Sequence, residues 1–199
     1  MPLVQLPGGQ LRDEIRQVVY HGIVQQAAES PIAIRSFFSN VQGQPKYLTN
    51  LRQNNLLETA VSYRVQGLSI DVQNWDETKK QMLPLIMDHS SLKFRVGEKV
   101  YWEGPFLYLS GRMEQNSAAS TTVAATTIHD LYQHFGQAAV APIVLSGKHV
   151  IDILPLQSFE GEWTCAGMTA GEITAATPTA ARKLIWLFAL KGLLRRPVQ

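Results

Sequence analysis

A single cysteine, Cys165, in 199 residues excludes a disulfide within one chain and any metal site made only of thiolates. Its expected place is the core, as a small apolar residue. Charge is scarce too: Asp, Glu, Lys and Arg make up 17% of the chain, and 18 basic against 16 acidic residues leave a net charge of +2. So small an excess is not the footprint of a nucleic-acid-binding surface, and no specific nucleic-acid site is expected. Low charge fits a surface covered by something else, or else a Gln-, Ser- and Thr-rich surface in water. No apolar run approaches the roughly 18 residues needed to span a bilayer. The run Leu184 to Leu190 has the length of a strand. The N-terminus has no charged stretch followed by an apolar one, so the expectation is a protein made in, and soluble in, the cytoplasm until it assembles.

Catalytic motifs are missing as well. There is no G-x-S-x-G, P-loop, G-x-G-x-x-G or H-E-x-x-H, and no His-x-His of the kind a metal-dependent jelly roll carries on a strand. The expectation is therefore no enzyme, no cofactor and no metal. His129-Asp130 with His134 comes nearest to a site, but a spacing of five residues is off-register for one helical face, and no third ligand is near in sequence. His21, His89 and His149 stand alone, as surface or satisfied core histidines do. Trp75, Trp102, Trp163 and Trp186 each lie in or beside an apolar run, where core packing is a better account than a sugar-stacking platform.

What is present is β structure, densest between Leu92 and Leu109. Leu92, Phe94 and Val96 alternate with Lys93 and Arg95; Gly97-Glu98 supplies a two-residue turn of type II′; Val100 to Trp102 resumes; Gly104-Pro105 precedes a third segment, Phe106 to Leu109. From Ala60 to Val72 the apolar residues Val61, Tyr63 and Val65 change parity to Leu68, Ile70 and Val72, which predicts a β-bulge at Gln66-Gly67 within one long strand. Ile32 to Phe38, Ile143 to Leu145, Val150 to Leu154 and Phe159 to Cys165 add shorter strands. Leu184 to Leu190 is apolar at both parities, the mark of a strand covered on both faces.

Helices are expected at few places. Leu11, Ile15, Val18, Val19, Ile23 and Ala27 are spaced for one helical face, ended by Pro31; with the Pro/Gly-rich start they form an expected assembly arm over residues 1–40, its contacts made by Ile15, Val18, Val19 and Ile23. Asp76 to Met87 reads as a short crossing helix kinked or ended by Pro84, and Ile128 to Phe135 as a helical turn. Asn116 to Thr127, an uncharged Ser/Ala/Thr tract, and Gly171 to Ala181 read as loops. The whole is a mainly β single domain over residues 1–199, a jelly-roll β-sandwich with an N-terminal helical arm and short crossing helices.

Tyr47-Leu48-Thr49-Asn50-Leu51 before a long alternating strand, the Leu92 to Leu109 block, and Leu184 to Gly192 followed by Arg195-Arg196-Pro197-Val198-Gln199 together resemble the small jelly-roll major capsid proteins of tailless icosahedral bacteriophages and archaeal viruses. The resemblance covers residues 45–199 and rests on element order. It implies an upright sandwich without an active site, a virion structural protein that self-assembles into capsomers beside other capsid or vertex proteins, in many members over an internal membrane. The alternative from another class is a ligand-binding jelly-roll module, carbohydrate-binding or receptor-binding.

Overall fold

The computed structural model describes residues 3–5, 11–73, 82–109, 143–145, 150–178 and 183–197. Among these, ten strands form two antiparallel sheets, a β-sandwich. The larger sheet contains β1 (Leu3–Gln5), β2 (Leu11–Gln25), β4 (Ser62–Gln73), β7 (Ile143–Val144), β8 (Ile151–Ile153) and β10 (Leu184–Pro197). Its order is β1-β2-β10-β4, with β7 and β8 following one another along the far edge of β4. The smaller sheet is β3 (Ala33–Phe37), β9 (Phe159–Cys165), β5 (Ser90–Val96) and β6 (Lys99–Pro105), in that order.

An aromatic core joins the sheets. Trp186 and Phe188 of β10 face Trp163, Phe37 and Phe94 of the smaller sheet, with ring centroids 4.9 Å apart for Trp163–Trp186, 5.4 Å for Phe37–Phe188 and 5.9 Å for Phe94–Phe188. Cys165 is buried in the same core and reduced. Both faces of β10 are covered from Leu184 to Leu190 as expected: Leu184, Trp186, Phe188 and Leu190 point into the sandwich, while Ile185 and Ala189 are buried on the outside. Leu48 packs there over Gly22, beside Ile185 and Leu187.

The parity change in β4 is the predicted bulge. Lys191 pairs with Gly67 and Gly192 with Val65, so Gln66 is the extra residue, and both Val65 and Leu68 face the core. On the other edge the ladder divides at the same point: β8 pairs with Tyr63 to Val65, β7 with Gly67 and Leu68, and the Gln66 carbonyl accepts from the Leu145 N–H at 2.8 Å. The close approach of the bulged backbone leaves no room for a side chain at Gly192. The hairpin between β5 and β6 turns through Gly97, whose φ of +57° is the positive value a type II′ turn needs at its first central residue.

Several expectations are corrected. Leu11–Gln25 is not a helix but strand β2, paired with β10 along its length from Gln25↔Leu184 to Arg12↔Pro197. Ile15, Val18, Val19 and Ile23 therefore do not form one face: Val19 is buried, Ile15 and Ile23 are half-buried, and Val18 lies exposed on the opposite side. The inward row is Val19, His21, Ile23 and Gln25; two of its members are polar, which hid the strand alternation. The described part of the expected 1–40 arm is thus not separate from residue 11 onward, since β2 and β3 give one strand to each sheet. Phe106–Tyr108 is a 3-10 turn rather than a strand, because its i, i+3 geometry sends both Phe106 and Leu109 into the core. Ala170–Ala176, read as a linker, is helix α2 (α1 being Met82–Asp88), started by a capping box in which Thr169 and Glu172 satisfy each other's backbone N–H. Pro84 neither kinks nor ends α1; it lies in its first turn, where a missing N–H costs no hydrogen bond. The Asn116–Thr127 loop, the Ile128–Phe135 turn, and the Asp76 and Glu77 start of the crossing helix lie outside the described residues.

Candidate functional site

β3 is an edge strand of the smaller sheet and β2 lies next to the β1 edge of the larger one, and residues of the two strands line a pocket of about 400 Å³ that is open to solvent. The period-two alternation of β2 puts His21 on the inward side, where only 3% of its surface remains accessible. The ring lies against Phe37, edge-on with centroids 6.4 Å apart, and against Phe38 at 6.2 Å. Its Nδ1 accepts a 2.9 Å hydrogen bond from the Phe38 N–H. That bond holds Phe38 at a φ of +70°, a strained value for a bulky residue, while its side chain packs on Phe159 and Phe188. Because Nδ1 is an acceptor, the ring proton of the neutral imidazole is on Nε2. Burial pushes the His21 pKa down to about 4, which keeps the ring neutral near pH 7.

Nε2 is buried away from water, and the hydrogen-bonding side chain that it faces is Gln44, out of ideal geometry. The Gln44 amide Nε2 donates to the Asn40 carbonyl at 2.8 Å, which leaves its buried Oε1 to face the His21 ring. The His21 donor and the Gln44 acceptor are thus turned toward each other, both out of water. Arg35, on β3, is the cation of the cavity wall and is paired with an acid. Its guanidinium donates to the Glu29 carboxylate at 2.8 Å and to the Ser30 and Pro31 carbonyls at 3.3 Å, and it stacks over Trp163 with 4.9 Å to the ring centroid. The Arg35 guanidinium in turn holds the Glu29 carboxyl below its ordinary value against the opposing effect of partial burial.

Further along, residues 46–50 cover part of the free edge of β2. The Leu48 carbonyl accepts from Gly22 N–H at 2.6 Å, Asn50 Oδ1 from Tyr20 N–H at 3.0 Å, and the Tyr20 hydroxyl donates to the Lys46 carbonyl. Among the described residues no segment closes the two edges of the smaller sheet in this way, and each exposes apolar side chains: Ile34 of β3 is 72% exposed, with Ile32 beside it, and Val100 of β6 is 41% exposed, with Tyr101 beside it.

Of the residues weighed from sequence, His129, Asp130, His134, His149 and Trp75 lie outside the described residues. Trp163 and Trp186 are core residues, and Trp102 is half-buried against the core. His89 is half-exposed, 3.7 Å from Glu172. Among the described residues no three metal-ligating side chains cluster, and no helix is long and apolar enough to cross a membrane. His21, Arg35 and Gln44 were not singled out as a group; the signal for His21 was its place in the inward row of β2, which the helical reading concealed. No protein-family model matches the chain, and no curated protein or solved structure is significantly similar to it.

Proposed function

We propose that the sandwich is a jelly roll and that the protein is a structural subunit of a virion shell, which works by associating with copies of itself and catalyses nothing. The observation that carries this is the strand order. Counting β7 and β8 as one broken strand, the eight long-sheet and short-sheet strands pair as a nested set: β2 with β10, β3 with β9, β4 with β7/β8, and β5 with β6. Folding that long hairpin over places β10 beside β4 and β9 beside β5, which gives the double-sheet arrangement common among capsid domains. A fold does not fix a function, so a second feature is needed. It lies in the smaller sheet, whose opposite edges, β3 and β6, both expose apolar residues. Two different patches on opposite rims favour head-to-tail contact, which makes a ring when the rotation between neighbours closes. Lys99 and Glu103 on β6, and the bulge in its pairing with β5, work against simple extension of the sheet, so the contact is one of side chains.

In that role the protein is made in a host cytoplasm and resides in the virion, beside other capsid or vertex proteins and over a membrane where the shell has one. The second reading, a ligand-binding module, is favoured by the His21 cavity. Sizing by light scattering followed by negative-stain imaging separates the two. Wild-type protein should form rings or cages, and Ile34→Lys with Val100→Lys should reduce it to single subunits without lowering its melting temperature by more than a few degrees. Wild-type protein that stays a single subunit at every concentration would overturn the assembly reading.

A further inference from the structure

The hydrogen bonds around His21 are ones that only a neutral imidazole can make. Its Nδ1 accepts from the Phe38 N–H at 2.9 Å, while its Nε2–H is turned toward Gln44 Oε1. A protonated ring carries N–H on both nitrogens and accepts at neither, so Nδ1–H would meet the Phe38 N–H donor to donor. The surroundings offer the charge no partner. β3 presents Arg35, itself a cation and already paired with Glu29. β10 presents Phe188 across the ladder, and residues 39–50 present Gln44 and Thr49, while Lys46 and Tyr47 of that segment are exposed. Among the described residues no carboxylate lines the pocket.

Phe38 is also where the chain leaves β3 to cover the edge of β2. Residues 39–50 return to that edge, where the Leu48 carbonyl accepts from Gly22 N–H at 2.6 Å. The Asn50 side chain accepts from Tyr20 N–H at 3.0 Å and donates to the Val18 carbonyl at 2.6 Å. The base of this cover is closed by the Phe38 carbonyl, which accepts from Asn55 N–H at 2.8 Å, and by Asn54 Oδ1, which accepts from Val41 N–H at 2.8 Å. Phe38 itself sits at a φ of +70°, a conformation that a bulky residue keeps only while its surroundings fix it. We propose that the His21–Phe38 bond is an acid-sensitive latch: protonation of His21 unfastens Phe38, and residues 39–50 lift from β2 while both sheets stay folded. The Tyr20 and Gly22 N–H groups then become unpaired donors on the edge of the larger sheet.

Amide hydrogen exchange in the full chain, read residue by residue by NMR between about pH 7 and pH 4 and corrected for intrinsic rates, tests the latch. In the open form His21 titrates as an ordinary histidine, so opening takes up one proton. Protection at the Tyr20, Gly22 and Phe38 amides should therefore fall about tenfold per pH unit from pH 6.5 toward 4. The amides of Trp186 to Leu190, in the middle of β10 and bordered by strands on both sides, should stay at least about tenfold better protected throughout. His21→Asn keeps an acceptor in reach of the Phe38 N–H but takes up no proton in this range, and it should flatten the slope at the three amides. Equal protection at the cover and in β10 at each pH would mean that residues 39–50 leave only when the whole chain unfolds, and would overturn the proposal. So would a pH-independent protection at the three amides of the wild type, or a slope that His21→Asn leaves unchanged. The first two readings are made within the wild-type protein, so they decide the matter even if His21→Asn does not fold.

Discussion

Replacing Gly192 by alanine tests the register on which the larger sheet depends. A Cβ at this position would lie 2.0 Å from the Arg64 carbonyl oxygen, 2.9 Å from the Arg64 carbonyl carbon and 3.1 Å from the Val65 Cα, all backbone atoms of the bulged strand β4. A carbon and an oxygen in close contact sit at about 3.3 Å, so β4 and β10 must part locally by more than about 1 Å. Side chains cannot turn away to relieve this, because none is involved. Opening the ladder there would forgo about two backbone hydrogen bonds, at ~1 kcal/mol each, and add overpacking strain of ~1–3 kcal/mol. The expected loss is about 3–5 kcal/mol, which for a chain of this size lowers the melting temperature by roughly 6–20 °C. Urea and thermal unfolding, followed by circular dichroism and tryptophan fluorescence, would measure it. Gly171→Ala is the control: nothing lies within 4 Å of its Cβ position, in the first turn of α2, and the same substitution there should be neutral or stabilising by up to ~1 kcal/mol. A Gly192→Ala protein within ~1 kcal/mol of wild type would show that the backbones do not approach, and that the bulge is misplaced.

Trp186→Phe keeps most of the buried ring but removes the Nε1–H that donates to Gln25 Oε1 at 3.1 Å, in a place where Gln25 has no access to water. It should cost about 2–3 kcal/mol, and Gln25→Leu added to it should cost less than the two changes separately; strict additivity in denaturant titrations would count against the bond. His21 should make stability depend on pH. Its folded pKa of about 4 lies below the ordinary 6.5, so the unfolded chain binds the proton more readily, and stability present above pH 6.5 is lost as the pH falls toward 4. The full effect is about 3 kcal/mol, and His21→Asn should remove that part of the slope; equal slopes in the two proteins would mean that His21 is not buried neutral.

Strands whose inward residues are all apolar were legible in the sequence. Leu92, Phe94 and Val96, the two parities of Ala60 to Val72, and the apolar run from Leu184 to Leu190 each announce their burial, because a strand with water on one side and a core on the other must alternate, and one covered on both sides need not. The bulge at Gln66 was legible for the same reason, since an extra residue is the only way to keep both halves of β4 facing one core. The hairpin at Gly97-Glu98 was set by glycine's freedom at positive φ. The start of α2 was also written locally, in Thr169 and Glu172, but small residues around it masked the capping box.

The identity of β2 belonged to the tertiary structure. Its inward row carries His21 and Gln25 between Val19 and Ile23, and polar residues stay in a core only where partners come from elsewhere: the Phe38 N–H for His21, and for Gln25 the Trp186 indole N–H and the Glu29 carbonyl. Phe38 is 17 residues from His21 and Trp186 is 161 from Gln25, separations that no local pattern encodes. The cavity follows from the same long-range pairing, because His21, Arg35 and Gln44 meet only once β2 and β3 are fixed in different sheets. By itself the sequence determined which segments could alternate and which backbone points required glycine; which segment pairs with which, and the site that forms between them, was decided by burial and hydrogen-bond satisfaction across the whole chain.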